Sequence, residues 1–378
     1  MIPFNKPYMV GKEVDYINEA VASGKISGNG KFTRQCQAFF EERYGFPKCL
    51  LTTSGTDALE MCAILSEVGP EDEVIVPSYT FVSTALAFIR QGAKVVFCDS
   101  YRNNPNIDPA EIEKLVTPRT KVIAPVHYAG VACDMDAIMD IAHRHNLIVV
   151  EDAAQAIDSY YTGRDGIRHP LGSIGHLAAF SFHETKNIIS GEGGLLVVND
   201  QRFARRAEII WEKGTNRAEF FRGEVNKYGW VDVGSSFLSS EITAAFLWAQ
   251  LEKIDSIQTR RKQIWDSYRD ALAPLAEKGI FTLPEIPEYA TNNAHMFYLV
   301  FASLRARTDF ISKMKARDIL CVFHYLSLHS SPFYSKQHDG RRLPNCDRFA
   351  DCLVRLPLWY GLDAGSLATV CKAIRGSA

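Results

Sequence analysis

Residues Ala178–Gly194 read AAFSFHETKNIISGEGG, and the fold of the whole chain turns on this stretch. An apolar run, Ala178–Phe182, leads to a single lysine, Lys186, and then to a turn containing Gly191, Gly193 and Gly194. A second apolar run, Leu195–Val198, follows at once. The pattern predicts two strands joined by a glycine-rich connection. A lysine is ordinarily a solvated surface cation. Here its neighbours are small, hydroxylated or apolar and its flanks read as buried. Such surroundings favour the neutral amine, which makes the lysine available as a Schiff-base nucleophile.

Working outward, the chain alternates short apolar strands with helices on the N-terminal side. Strands are expected at Cys49–Thr52, Glu73–Val76, Lys94–Cys98, Lys121–Val126 and Leu147–Val150. Helical patterns lie near Ala58–Leu65, Val82–Arg90, Pro109–Val116 and Met135–His145. This alternation predicts an α/β fold with a large, mainly parallel sheet flanked by helices, completed by Ala178–Val198. Ligands in such sheets bind beyond the carboxyl ends of the strands. Ahead of the sheet come an extended strap through Pro7, a helix on Val14, Ile17 and Val21, a turn-rich loop (Gly24–Gly30) and a helix at Phe32–Tyr44. Beyond it, Arg202–Gly214 reads as helical and Thr215–Ser240 has no clear periodicity, the mark of a functional or intersubunit loop. A long helical pattern, about 241–272 and ending before Pro274, bridges to a smaller α+β unit. The division expected is a large domain at 1–250 and a small one at 251–378. Strands of the small domain are expected at Met296–Phe301 and Cys321–Tyr325, and helices at Thr308–Arg317 and Gly365–Arg375.

Two further strand ends carry chemistry. Thr53-Ser54-Gly55-Thr56-Asp57 follows a strand and opens a helix. Glycine lets backbone approach an anion and the first free N–H groups of a helix attract phosphate, although Ser and Thr also serve as plain helix caps. Glu151-Asp152-Ala153-Ala154-Gln155 follows the apolar Leu147–Val150. A carboxylate there is costly to bury unless it meets a cation, and a protonated pyridine nitrogen is one such cation. With Ser181 and Lys186 at a third strand end, these signals in this order point to a pyridoxal phosphate (PLP) enzyme.

The totals are consistent with that. The 378 residues carry a formal net charge of -2, which gives no electrostatic case for nucleic acid or an anionic membrane. The nine cysteines form no CxxC pair, so neither a metal site nor a disulfide framework is expected. No stretch has the length and apolarity of a signal peptide or membrane span, and a cytoplasmic location is expected.

The runs TSGTDAL, PSYTFVSTA, EDAAQ and SFHETKN with GEGG resemble, in order and spacing, the PLP-dependent nucleotide-sugar aminotransferases (the DegT/DnrJ/EryC1/StrS type). That group has the fold-type I, aspartate aminotransferase-like architecture. The segments PVHYAGVACDMD, EKGTNR, FFRG, GSSFLSSE and NAHMFY look closest to the branch of dTDP-4-amino-4,6-dideoxygalactose transaminases of enterobacterial common antigen synthesis. The resemblance implies that Lys186 carries the Schiff base and shuttles a proton, and that Asp152 keeps the pyridine nitrogen protonated. It implies that Phe81 stacks on the ring, Gln155 lies against the ring hydroxyl, and Ser54, Gly55, Thr56 and Ser181 hold the phosphate. Candidates for substrate contact are His183, Arg217, Arg222, His324, Tyr325 and His329, with His295 a weaker one. Arginine suits phosphate through its bidentate donors. One position departs: Leu238 stands where many members have an asparagine that reaches the neighbouring subunit's cofactor phosphate, and leucine has no donor.

The implied activity moves the amino group of L-glutamate to the C4 keto group of a dTDP-linked 4-keto-6-deoxy sugar, leaving 2-oxoglutarate, for cell-surface polysaccharide. A homodimer with its active site at the subunit interface is implied as well. A C3 aminotransferase on a dTDP-3-keto sugar would use the same motifs, and a non-catalytic PLP-binding sensor would keep the cofactor alone. A sugar dehydratase of this fold has histidine at the lysine position, which Lys186 argues against.

Overall fold

The computed structural model describes residues 1–377. In chain order the strands of the main unit are β1 (Cys49–Thr52), β2 (Glu73–Pro77), β3 (Lys94–Cys98), β4 (Thr120–Ile123) and β5 (Ile148–Asp152). A hairpin of β6 (Tyr160–Thr162) and β7 (Arg168–Pro170) follows, then β8 (Leu177–Ser181) and β9 (Gly194–Val198). Seven of these form one sheet in the order β1-β9-β8-β5-β4-β2-β3. Strand β9 runs antiparallel to both its neighbours, and the remaining pairings are parallel.

Alternate side chains of these strands feed two cores, one on each face, as the period of two requires. Leu50, Val74, Val76, Leu177 and Ala179 pack on one face against α3 (Gly55–Leu65) and α4 (Val82–Ile89). Leu51, Ile75, Ala178 and Phe180 pack on the other face with α2 (Lys31–Tyr44) and α6 (Met135–His145). Burial on both faces is why the central strands read as unbroken apolar runs rather than alternating ones.

A second sheet of three antiparallel strands, β10 (Tyr298–Val300), β11 (Val322–Phe323) and β12 (Leu353–Arg355), has the order β10-β12-β11. Its other face closes a third core of residues between Ile264 and Ile374.

Several expectations need correction. The pattern at 241–272 is two helices, Glu241–Leu251 and Ile254–Glu277, broken at Glu252-Lys253. Pro274 lies inside the second helix rather than ending it. One turn from the end a proline forfeits a single backbone bond, a cost that the buried Ile264, Trp265, Tyr268 and Leu272 offset. The loop at 215–240 contains a short helix, Arg217–Phe221. The hairpin β6–β7, the helix Pro344–Cys352 and β12 were not foreseen. Strands of three residues are too short to show a period.

Candidate active site

Strands β1, β5 and β8 share one direction, so their carboxyl ends open at one edge of the sheet. Each presents one of the motifs there. On β5 the pleat sends adjacent carboxylates to opposite sides. Glu151 is fully buried, pairs with His127 Nε2 at 2.8 Å and accepts the Gly172 and Ile174 N–H groups at 2.8 and 2.7 Å. Burial would raise its pKa, but His127 and the Gly175 and Gly172 N–H groups overcome that and hold it below the ordinary value. Glu151 is a structural anion. Asp152, also buried, accepts from Thr84 Oγ1 at 2.7 Å and from the Ala154 N–H at 3.1 Å. Desolvation outweighs these donors and pushes its carboxyl up, while Thr84, Ala154, Lys186 and His127 pull the other way. A carboxylate in that state is completed by a cationic N–H.

Lys186 sits in the connection between β8 and β9. That connection is closed by the Phe182 N–H on the Gly193 carbonyl at 2.8 Å and the Ser190 N–H on the Phe182 carbonyl at 2.7 Å. The next residue is the anchor: buried Asn187 donates to Gln258 Oε1 at 2.9 Å and to the Asn293 carbonyl at 2.8 Å, and its Oδ1 meets His295 Nδ1 at 2.9 Å. The Lys186 amine makes no hydrogen bond among the described residues. Desolvation lowers its pKa to about 8, Asp152 opposes that shift and Arg355 adds to it. An amine with that value keeps an appreciable neutral fraction near physiological pH, where an ordinary lysine has almost none.

The start of α3 forms an anion cradle. Ser54 Oγ accepts the Asp57 N–H at 3.0 Å, so its side chain is spent as the helix cap. Among the described residues the Gly55 and Thr56 N–H groups have no acceptor at the first turn, where the helix dipole favours an anion. Two glycines bring the backbones together: a Cβ on Gly55 would meet Ser181 Cβ at 2.8 Å, and one on Gly194 would meet the Ser54 carbonyl at 2.2 Å. Ser181 is thereby set beside the helix start, half-buried. Thr56 Oγ1 lies 2.7 Å from Ser83 Oγ. Phe81 is 54% exposed, so it is not a core residue, and its ring is 6.0 Å from that of Tyr325.

Tyr325 holds a left-handed φ of 55° and receives the Gln155 Nε2–H at 3.0 Å, while Gln155 Oε1 accepts the Ala129 N–H at 2.7 Å. A strained non-glycine residue here costs about 1–3 kcal/mol and belongs to a place where the side chain's direction matters. His324 is buried, paired with Tyr128 Oη at 2.7 Å, and kept neutral chiefly by desolvation.

The other sequence candidates are held by other partners. His329 bonds Ser78 Oγ through Nδ1 at 2.8 Å. His183 lies in the lysine loop, and its Nδ1 accepts the Thr185 N–H at 3.2 Å. His295 serves Asn187. Arg222 ion-pairs with Glu208 and Glu224 at 2.9 and 2.7 Å. Arg217 and Leu238 share a separate groove of about 530 Å³ with Lys25, Arg34 and Lys213. Sequence reasoning passed over Thr84, Tyr128, Asn187 and Arg355. Asn187 and Thr84 lie inside the quoted motifs; Arg355 is marked by a charge within the apolar run LVRLPLW.

These residues fit PLP: a free amine, a buried carboxylate awaiting a cation, free N–H groups beside Ser181, and an exposed aromatic face. Residues 7–375 match the family model described as the DegT/DnrJ/EryC1/StrS aminotransferase family. The spore coat polysaccharide biosynthesis protein SpsC of Bacillus subtilis is 32% identical over 383 aligned residues, covering 99% of this chain and 96% of SpsC. Among solved structures, Streptococcus pneumoniae Spr1654 in its PLP form superposes with a TM-score of 0.90 at 25% identity, covering 100% and 98% of the two chains. S. venezuelae DesV, solved with a ketimine intermediate, gives a TM-score of 0.87 at 30% identity over 97% and 94%.

Proposed function

The chain belongs to the DegT/DnrJ/EryC1/StrS aminotransferase family, whose members depend on PLP, and from that premise we propose that it transfers the amino group of L-glutamate to the C4 keto group of dTDP-4-dehydro-6-deoxy-D-glucose. The products would be a dTDP-4-amino-4,6-dideoxyhexose of galacto configuration and 2-oxoglutarate. The observation that carries the reading is the Lys186 amine, unpaired and pushed down to about 8, within the field of buried Asp152.

PLP, when bound, supplies an electron sink that lets a bond to the donor's Cα break. The chain's own residues do the rest. Asp152, held by Thr84, keeps a proton on the pyridine nitrogen. Gly55, Thr56 and Ser181 bind the phosphate. Phe81 covers one face of the ring, and Gln155, oriented by Ala129 and Tyr325, meets the ring hydroxyl. Lys186, a base near neutrality, takes the proton from the donor's Cα and returns it on the cofactor side, then reverses the order for the sugar. A positioned base of matched pKa contributes about 10²–10⁴-fold. Among the substrate candidates, Tyr325 faces the site and Arg217 is assigned to the sugar nucleotide's diphosphate. Arg222, His183, His295, His324 and His329 are assigned to positioning and packing, because each is held by partners in its own chain.

The C4 dTDP assignment rests on the branch-like segments around Tyr128, Arg217 and Ser239, and a role in polysaccharide synthesis is supported by the name of SpsC. A homodimer is part of the proposal, supported by Phe221, Trp230 and Val233, which are 69%, 84% and 57% exposed on one loop. Arg217 on that loop would reach the neighbouring subunit's site. The test is incubation with L-glutamate and dTDP-4-keto-6-deoxyglucose, with NMR assignment of the aminated carbon. A 4-amino product with matching 2-oxoglutarate is expected. A 3-amino product, activity only with UDP-sugars, or cofactor binding without turnover would overturn it.

A further inference from the structure

Asn293 lies ahead of β10, in the segment that joins the long helix Ile254–Glu277 to the small sheet. It is 5% exposed, and it bonds both of the loops that carry cofactor residues. Its Nδ2 donates to the carbonyls of Gln155 and Ile157, each at 2.8 Å, in the loop after β5. Its own carbonyl accepts the Asn187 Nδ2–H at 2.8 Å, next to Lys186 in the loop after β8. Its Oδ1 accepts the His295 N–H at 3.0 Å, so each polar atom of the side chain already has a partner. The carboxamide also fills the space beside Gly130, where an added Cβ would run into it. Ala129, just before that glycine, holds Gln155 Oε1 at 2.7 Å. From the far side the segment is gripped by buried Arg261, which donates to the Ala294 and His295 carbonyls at 3.2 and 2.7 Å. An asparagine so enclosed has no polar atom left for a ligand. What it governs is the placement of two backbones.

We propose that Asn293 is a positioning residue that fixes Gln155 and Lys186 relative to each other, the first at the cofactor's ring hydroxyl and the second at its reacting carbon. Among the described residues no hydrogen bond joins Gln155 to Lys186, so their spacing depends on a residue that holds both loops. A small misplacement caused far from the chemistry can cost about 10²-fold in rate. The assignment rests on the cofactor contacts of the reading above.

The test compares cofactor-loaded Asn293→Ala and Asn199→Ala with wild type. Asn199 Nδ2 likewise holds two carbonyls, those of Gly172 and Gly175 at 2.9 and 2.8 Å. It follows β9, however, which runs antiparallel to β8 and so ends at the opposite edge of the sheet. Each variant strips two carbonyls of their donor, and both should unfold at a lower temperature. Only N293A should move the pH midpoint of the bound cofactor's absorbance, upward by about 0.5–1 unit. A displaced Gln155 stabilises the ring oxygen's negative charge less, so the proton shared with the Lys186 nitrogen is held to higher pH. In the glutamate half-reaction its kcat should fall about 10- to 100-fold with KM within about threefold, the mark of misplaced groups rather than a lost substrate contact. N199A should keep both the midpoint and kcat near wild type. Asn293→Ser keeps a hydroxyl donor and should show the same changes at reduced size, which carries the comparison if N293A folds poorly. An unmoved midpoint in the folded variant, the same shift in N199A, or a raised KM at unchanged kcat would overturn the assignment. Wild-type protein that binds PLP but makes no 2-oxoglutarate from glutamate would overturn the proposed function, and the absorbance comparison would still decide this assignment.

Discussion

Two long connections in this chain are built in opposite ways. The segment between β8 and β9 is closed on itself by backbone bonds, and Asn187 is tied to Gln258 and Asn293 far along the sequence. The loop at 213–240 instead carries Phe221, Tyr228, Trp230 and Val233, all more than half exposed. The first is specified by contacts inside one chain, so the residues that can hold a cofactor are positioned by this fold alone. The second leaves apolar surface that only another molecule would cover, and the arginines chosen from sequence for the sugar nucleotide lie on it. The cofactor half and the sugar half of the proposed site therefore rest on different sources of order.

The sharpest way to break that contrast is to remove the amine at the centre of the braced segment. Lys186→Ala should cost on the order of 10⁴-fold or more in turnover, since the nucleophile and the proton carrier are lost together. The thermal unfolding midpoint should not fall, because the amine holds no hydrogen bond and burying its charge costs the fold stability. Turnover within tenfold of wild type would mean that the braced lysine is not the reacting group.

How much of this was legible in the sequence follows the same division. Lys186, Asp152, Gly55 and Ser181 stood out as candidates because each lies at or shortly after the end of a buried strand, where a departure from the apolar run has few bland explanations. His324 and His329 bond Tyr128 and Ser78, partners that the sequence does not report, since a histidine in a short strand or turn looks alike whatever it faces. Asn187 and Thr84 sat in plain view, but their roles depend on partners 71 and 68 residues away, which no local pattern reports. The proline at 274 ended a helix on paper and not in the fold, because buried neighbours outweighed one missing bond.

A paired substitution separates the two kinds of order. Asn187→Ala leaves Gln258, Asn293 and His295 with unmet polar groups in a buried place, and should destabilise by about 2–3 kcal/mol. That loss would be read from denaturant midpoints at constant slope. Trp230→Ser should change the stability of the single chain by about 0.5 kcal/mol or less. Its effect belongs to assembly: sedimentation should show the variant associating more weakly than wild type. If instead W230S destabilises as much as N187A with unchanged mass, the loop is part of this chain's own core and the contrast fails.

The smallest effect sharpens the electrostatics of the braced side. In cofactor-free protein the Lys186 amine, lowered by desolvation to about 8 from an ordinary 10.5, should acylate with a midpoint near the lower value. Labelling by a dilute anhydride across pH, read by mass spectrometry of the peptide, measures it against the surface lysines. The two charges that face the amine act with opposite sign. Asp152 favours the ammonium, so Asp152→Asn should move the midpoint further down. Arg355 disfavours the ammonium, so Arg355→Gln should move it up. Above the midpoint the amine is already neutral and the Arg355 charge no longer repels it, so the difference between R355Q and wild type should vanish at high pH and grow below 8. A midpoint near 10.5 that neither substitution moves would show water around the amine and would remove the premise that this segment is shielded by its own chain.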